Sequence, residues 1–366
     1  MRELIILGSS GSIGQTCIRA IKEQNLDIRV KALVARSSKS IEDDASYFNC
    51  PYLLTEGKSE SEIRSFLSSV SADIALNGVS GSDGLLFSTI LIDLGFDIAL
   101  ANKETVVLGG EFIFELAKEK GVKLIPVDSE HSALYNLIRA HGDDVERLII
   151  TASGGPFVDR MDLSGVSLEE ALHHPTWKMG KKITIDSANL ANKGLEVIEA
   201  GYLFNFKAED ITVTVHRQSI VHSLVKLRNG AIYAQLSPPD MTLPIINAIS
   251  DGNLNLENVV QPLDFSTSFS LTFEKWDEKR FRMLSLAYKA LEKRNAYPIA
   301  YNIADEVAVN AFISGKIGFM DIPSIVESVM SHDFEHPVRS YSEAKAMMEK
   351  ARMLSEEILC DGFKNS

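Results

Sequence analysis

The sequence predicts an α/β protein with an N-terminal parallel sheet, a central α+β domain and a C-terminal helical domain. Three observations carry this expectation. Short apolar runs alternate with helical patterns through residues 1–150, a strand-rich stretch with an Asn-Gly turn follows, and beyond residue 276 only helix periodicity remains. The expected boundaries are residues 1–126, 127–275 and 276–366. A length of 366 residues suits two or three domains and buries a core without staples.

Leu4-Ile5-Ile6-Leu7 is continuously apolar, as a strand buried on both faces must be. A helical face then begins, with Ile13, Cys17 and Ile21 at four-residue spacing. Further strands are expected at Ile28 to Val34, Ala72 to Leu76, Asp97 to Leu100 and Val122 to Val127. Helical stretches between most of them imply right-handed βαβ crossovers and a parallel sheet. Leu148 to Ile150 leads into the turn cluster Ala152-Ser153-Gly154-Gly155-Pro156. Thr212 to Val215 and Ile220 to Leu227 read as strands, and Asn229-Gly230 joins the latter to Ala231 to Gln235 as a hairpin. Residues 238–275, with Pro238, Pro239, Pro244 and Pro262, read as loop-rich. Helices are expected at Phe281 to Lys293, Ile303 to Ile313, Ile322 to Met330 and Ser342 to Ile358.

Composition excludes several function classes. The net charge is −13, and no third of the chain is basic, so general nucleic-acid binding is not expected. Cys17, Cys50 and Cys360 stand far apart in no metal-ligand spacing, which fits a reducing cytoplasm. No apolar span is long enough for a membrane helix, and the chain opens directly into a strand. Membrane association and secretion are therefore not expected.

Gly8-Ser9-Ser10-Gly11-Ser12-Ile13-Gly14 follows the first strand and opens a helix. That arrangement puts backbone N–H groups and a positive helix end where a pyrophosphate can rest, as in a Rossmann-like unit. The second strand ends in Arg36-Ser37-Ser38, where an NAD site would usually carry a carboxylate. A 2′-phosphate suits an Arg and hydroxyls, so NADP is expected over NAD.

Two other strand ends carry polar clusters, Asn102-Lys103-Glu104 and Asp128-Ser129-Glu130-His131. On an extended backbone Asp128 and Glu130 point the same way, and a hard divalent cation would relieve their repulsion. A helix from about Asn192 would put Asn192, Lys193 and Glu196 on one face, where Lys193 and Asn192 could hold a phosphate and Glu196 could serve a metal. On spacing alone, Lys193–Glu196 reads as a surface ion pair worth a few tenths of a kcal/mol. The run His173 to Lys182, with Trp177 and several lysines, reads as an exposed loop able to cover a ligand. His222 reads as a structural histidine on a strand face.

Taken together, these motifs resemble the 1-deoxy-D-xylulose 5-phosphate reductoisomerase family. The matching stretches are the glycine turn, Ala101 to Glu104, Pro126 to His131, Ser153 to Phe157, His174 to Gly180, Asp186-Ser187 through Asn192 to Glu196, Gln218 to Ser223 and Pro239-Asp240-Met241. The resemblance spans nearly the whole chain and departs from the family pattern at Arg36-Ser37-Ser38. It implies that Ser10, Gly11, Ser12 and Ile13 hold the pyrophosphate of NADPH, and that Asn102, Glu104 and Gly180 also contact the cofactor. Asp128, Glu130 and Glu196 are implied ligands of Mg²⁺ or Mn²⁺. Lys103, Ser129 and Glu130 are implied contacts of the substrate's oxygenated carbons, and Ser153, His174, Ser187, Asn192 and Lys193 surround its phosphate. Residues from about His173 to Lys181 form the implied lid, with Trp177 over the substrate.

The implied reaction is the NADPH- and divalent-metal-dependent rearrangement and reduction of 1-deoxy-D-xylulose 5-phosphate to 2-C-methyl-D-erythritol 4-phosphate, in isoprenoid precursor synthesis, by a cytoplasmic homodimer. The residues alone leave open a metal-dependent sugar-phosphate isomerase or lyase without hydride transfer, and a non-catalytic nucleotide-binding scaffold. NADPH consumption separates the first of these from the reductoisomerase.

Overall fold

The computed structural model describes residues 1–24, 26–38, 40–173, 180–252 and 259–362. The chain divides into two compact units, neither of them one continuous stretch. The first comprises Met1–Thr105, Ile113–Asn136 and Asp240–Asp264, and the second Val106–Phe112, Leu137–Pro239 and Phe265–Ser366.

The first unit is a six-stranded parallel sheet in the order β3-β2-β1-β4-β5-β6. Its strands are β1 (Arg2–Leu7), β2 (Ile28–Ala35), β3 (Tyr52–Leu54), β4 (Ile74–Asn77), β5 (Asp97–Leu100) and β6 (Leu124–Pro126). The helices between them are α1 (Ser12–Gln24), α2 (Ser40–Phe48), α3 (Glu60–Ser68), α4 (Asp83–Asp93) and α5 (Lys103–Lys120), with α6 (Ser129–His141) after β6. Strand order reverses between β1 and β4, the position where open α/β sheets bind ligands beyond their strand ends. β3 escaped the sequence reading because it is a three-residue edge strand whose Tyr52 is exposed, so it has no two-sided apolar run.

The second unit holds β7 (Val145–Ala152), α7 (Leu168–Ala171), α8 (Lys181–Ala188), α9 (Ala191–Leu203), β8 (Ile211–Val215), β9 (Val221–Leu227) and β10 (Ile232–Leu236). These strands form a mixed sheet in the order β10-β9-β7-β8, with only β7 and β8 parallel. The expected hairpin joins β9 to β10, and Gly230 takes the left-handed φ of 88° that the turn needs.

α10 (Thr242–Ser250) corrects the loop-rich reading of residues 238–275. Pro244 falls in its first turn, where a missing N–H costs nothing. Ile245, Ile246 and Ile249 are buried in the first unit's core with Leu4, Ile6, Ile18 and Leu76. The second unit ends in α11 (Arg282–Lys293), α12 (Tyr297–Ile313), α13 (Asp321–Met330) and α14 (Tyr341–Gly362). No helix among the described residues is long and apolar enough to cross a membrane.

Candidate functional site

In the first unit, the glycine turn is set by close approach. Gly8 has a φ of +71°, and a Cβ there would lie 2.3 Å from the Gly78 carbonyl oxygen. A Cβ on Gly14 would lie 2.4 Å from the Gly8 oxygen, so α1 starts directly against the turn. Gly11 N–H donates to Gly8, and Gln15 N–H donates to Gly11. The amides of Ser12, Ile13 and Gly14 are thus left unclaimed by the helix, as at any helix start. Ser10, Gly11 and Ser12 are exposed, whereas Ser9 is buried with no partner for its hydroxyl among the described residues. A cradle of free amides around an orphaned hydroxyl fits a phosphate.

Arg36 follows β2, exposed and with no ion pair among the described residues, and Ser37 is exposed beside it. Asn102 caps α5. Its side-chain oxygen accepts from Thr105 N–H at 2.7 Å, and its amide donates to the carbonyls of Val79 and Gly81 and to Glu104 Oε2. The side chain therefore shapes the loop that a cofactor would meet.

Lys103 is buried, and its Nζ donates to Asp128 Oδ2 at 2.8 Å. Burial alone would raise the Asp128 carboxyl, but the Lys103 ammonium and neighbouring His131 hold it well below the usual range. The extended-strand argument for Asp128 and Glu130 is corrected here. Asp128 opens α6, its carbonyl accepting from Ser132 N–H, and Glu130 lies in the first helical turn. Ser129 is buried and its hydroxyl donates to Glu130 Oε2 at 2.5 Å. β6 ends at Pro126, so helical geometry replaces strand alternation before Glu130 is reached.

In the second unit, the Ser153 turn packs against the end of α8. Gly155 has a φ of +64°, and a Cβ there would lie 2.6 Å from the Ser187 carbonyl oxygen. Ser153 and Ser187 are both half-buried. α8 joins α9 through Leu190, whose φ of 62° is left-handed. A residue with a Cβ holds that conformation at a cost of about 1–2 kcal/mol. The tight joint places Ser187 and Asn192 at adjoining helix ends.

Asn192 donates to Glu196 Oε1 at 2.7 Å, and Lys193 pairs with Glu196 Oε2. Lys193 is 5% exposed and Glu196 1% exposed, which overturns the surface-pair reading. α9 is buried nearly all round, Lys193, Glu196 and Glu199 included, which an i,i+3 pattern cannot reveal. His222 is buried on β9 and hydrogen-bonds to Ser237 Oγ at 2.8 Å. Gly180 is exposed at the start of α8. His174 and Trp177, with most of the expected lid, lie outside the described residues.

Arg280 is a contributor that the sequence reading passed over. Its guanidinium donates to the carbonyls of Val158 (3.2 Å) and Arg160 (2.7 Å), bracing the chain just beyond Ser153–Pro156. An isolated Arg after a loop gives no sequence signal for this.

These features define a nucleotide-binding α/β protein with a carboxylate–lysine cluster at a strand end and a second, buried cluster of polar and charged groups around Asn192, Lys193 and Glu196. Profiles described as 1-deoxy-D-xylulose 5-phosphate reductoisomerase match residues 49–110 and, for its C-terminal domain, residues 124–204; a further DXP reductoisomerase C-terminal profile matches 236–354. The reductoisomerase of Treponema denticola is 44% identical, covering 97% of this chain and 96% of its own. That of Treponema pallidum is 38% identical over 100% and 99%. A solved DOX-P reductoisomerase in complex with NADPH, fosmidomycin and magnesium superposes with a TM-score of 0.88 at 31% identity, covering 100% of both chains. The Zymomonas mobilis enzyme in complex with NADPH gives 0.87 at 33% identity, over 98% and 99%. The chain belongs to the 1-deoxy-D-xylulose 5-phosphate reductoisomerase family.

Proposed function

We propose that this chain converts 1-deoxy-D-xylulose 5-phosphate to 2-C-methyl-D-erythritol 4-phosphate with NADPH and Mg²⁺ or Mn²⁺. The observation that carries this reading is family membership along the whole chain, joined to the phosphate cradle around Ser9. Most of the cofactor contacts fall in residues 1–126 and most of the metal and substrate contacts in 127–275, with helical support from 276–366.

NADPH lies with its pyrophosphate on the amides of Ser10, Gly11, Ser12 and Ile13. Arg36 and Ser37 take its 2′-phosphate, and Asn102, Glu104 and Gly180 border the rest. The cofactor supplies a hydride to the rearranged aldehyde. Asp128, Glu130 and Glu196 hold the dication; hard, ionised oxygen donors suit Mg²⁺ or Mn²⁺, and the depressed Asp128 carboxyl meets that need. The dication supplies Lewis-acid polarisation of the substrate's ketone and hydroxyl oxygens.

Lys103 adds a positive partner to the oxygen that gains charge, while Ser129 and Glu130 orient the oxygenated carbons. Ser153, Ser187, Asn192, Lys193 and His174 grip the phosphate, a remote anchor whose binding energy serves orientation. Trp177 and the lid around it exclude water from the aldehyde.

We assign the protein to the cytoplasm, since Cys17, Cys50 and Cys360 are all free thiols. We also assign it a homodimeric state. Ile232 and Tyr233 of the sheet-edge strand β10 are exposed, a surface a second copy would cover; sedimentation velocity checks this. The deciding experiment for function is NADPH absorbance with 1-deoxy-D-xylulose 5-phosphate, with and without Mg²⁺ or Mn²⁺. Metal-dependent loss of absorbance supports the reading, and sugar conversion without NADPH loss returns it to an isomerase.

A further inference from the structure

Beneath α8 lies a buried polar group that the proposed chemistry does not use. Lys182, in the first turn of α8, places its Nζ 2.7 Å from Asp186 Oδ2 and 2.8 Å from Asp305 Oδ2 on α12. Asp186 is 2% exposed and Asp305 0% exposed. Asn302, one turn before Asp305, is also buried, and neither of its side-chain polar atoms has a partner among the described residues. The neighbouring Tyr301, also one turn before Asp305, reaches the Ala191 carbonyl at the start of α9 at 3.4 Å. A Cβ on Gly194 would lie 2.5 Å from that same hydroxyl. One face of α12 is therefore the common floor for α8 through Asp305 and for α9 through Tyr301.

α8 needs such a floor. It has eight residues, a glycine cap with no side-chain bond, no acid in its first turn, and two lysines at its positive end. It is also joined to α9 through the left-handed Leu190. Its own sequence does little to fix where its last turn, with Ser187, comes to rest. Asp305 is a poor stabiliser, because it is fully buried and its Oδ1 has no hydrogen-bond partner among the described residues.

We infer that Asp305 is a positioning residue: by holding Lys182 it sets the register of α8, and hence the placement of Ser187 on the phosphate of the anionic substrate. This rests on the phosphate role proposed above for Ser187.

The test compares wild type with Asp305→Asn, which keeps the side chain's size and removes the buried charge, and with Lys182→Gln as a second variant. Each is expected to raise the substrate KM about tenfold while the NADPH KM stays within about twofold. The double variant should be no worse than the poorer single one, as for groups that act as a unit. The melting temperature of Asp305→Asn should stay at or above that of wild type. In parallel, inorganic phosphate titrated into ¹⁵N-labelled protein should saturate at higher concentration in both variants. An unchanged substrate KM and phosphate titration in either folded variant overturns the inference, as does an NADPH KM that rises with the substrate KM. The phosphate titration needs no turnover. Wild-type protein that binds phosphate more tightly than Asp305→Asn but leaves 1-deoxy-D-xylulose 5-phosphate unchanged would sink the substrate assignment and leave this inference standing.

Discussion

The glycine turn of the first unit and the Ser187–Glu196 region of the second are both proposed above to meet phosphate, and they are built by opposite means. The turn works with backbone: Gly8 and Gly14 let main chain approach main chain, and helix-start amides face outward. The second region works with side chains, and those are held by buried partners such as Glu196 on Lys193 and Asn192. A backbone cradle tolerates changes of side chain but not of shape. A side-chain cluster tolerates small shifts of shape but not loss of a charge.

The sharpest way to break this contrast is Glu196→Gln, nearly isosteric. It should lower kcat/KM by about 10³-fold, roughly 4 kcal/mol, and raise the metal concentration needed, while NADPH affinity holds. Unchanged metal dependence in steady-state assays would remove Glu196 from the ligand set. Next comes Gly14→Val, where the new side chain meets main chain that cannot yield. NADPH affinity by calorimetry should fall about 100-fold, near 2.7 kcal/mol, whereas Ser10→Ala in the same turn should cost less than twofold. Equal losses in the two variants would contradict a backbone cradle.

Arg36→Ala probes the charged side chain proposed to meet the cofactor's 2′-phosphate. The preference for NADPH over NADH should drop about tenfold, the 1.4 kcal/mol of one charge-assisted bond. An intact preference would move the 2′-phosphate elsewhere. The smallest effect concerns the fold alone. Glu62 closes the capping box of α3, and the Ser59 N–H, with Lys58 and the Ser59 hydroxyl, lowers its carboxyl to about 2. A depressed folded-state value contributes stability above the unfolded value of 4.5 and loses it as pH falls toward 2. Glu62→Gln should flatten the melting-temperature profile across that acid window.

The same contrast explains what the sequence could tell. β1, the glycine turn and the start of α1 were legible because each is a local pattern with a local cause. The helical register of Asn192, Lys193 and Glu196 was legible too, but their burial was not, since it depends on α11 and α12 packing from far along the chain. Asp128 and Glu130 were found by residue type and placed in the wrong conformation, because nothing nearby marks where strand gives way to helix. α10 was hidden by Pro244, a helix breaker everywhere except the first turn it occupies. Lys182 and Asp305 are 123 positions apart, a separation that no periodicity spans.

The interleaving of the two units has a consequence for biosynthesis. α10 covers one face of the N-terminal sheet, yet it leaves the ribosome only after most of the second unit has been made. Until then the nascent sheet carries an uncovered apolar surface where Ile245, Ile246 and Ile249 will later pack. Ribosome-bound chains halted before residue 240 should therefore bind trigger-type chaperones, and those halted well past residue 264 should release them.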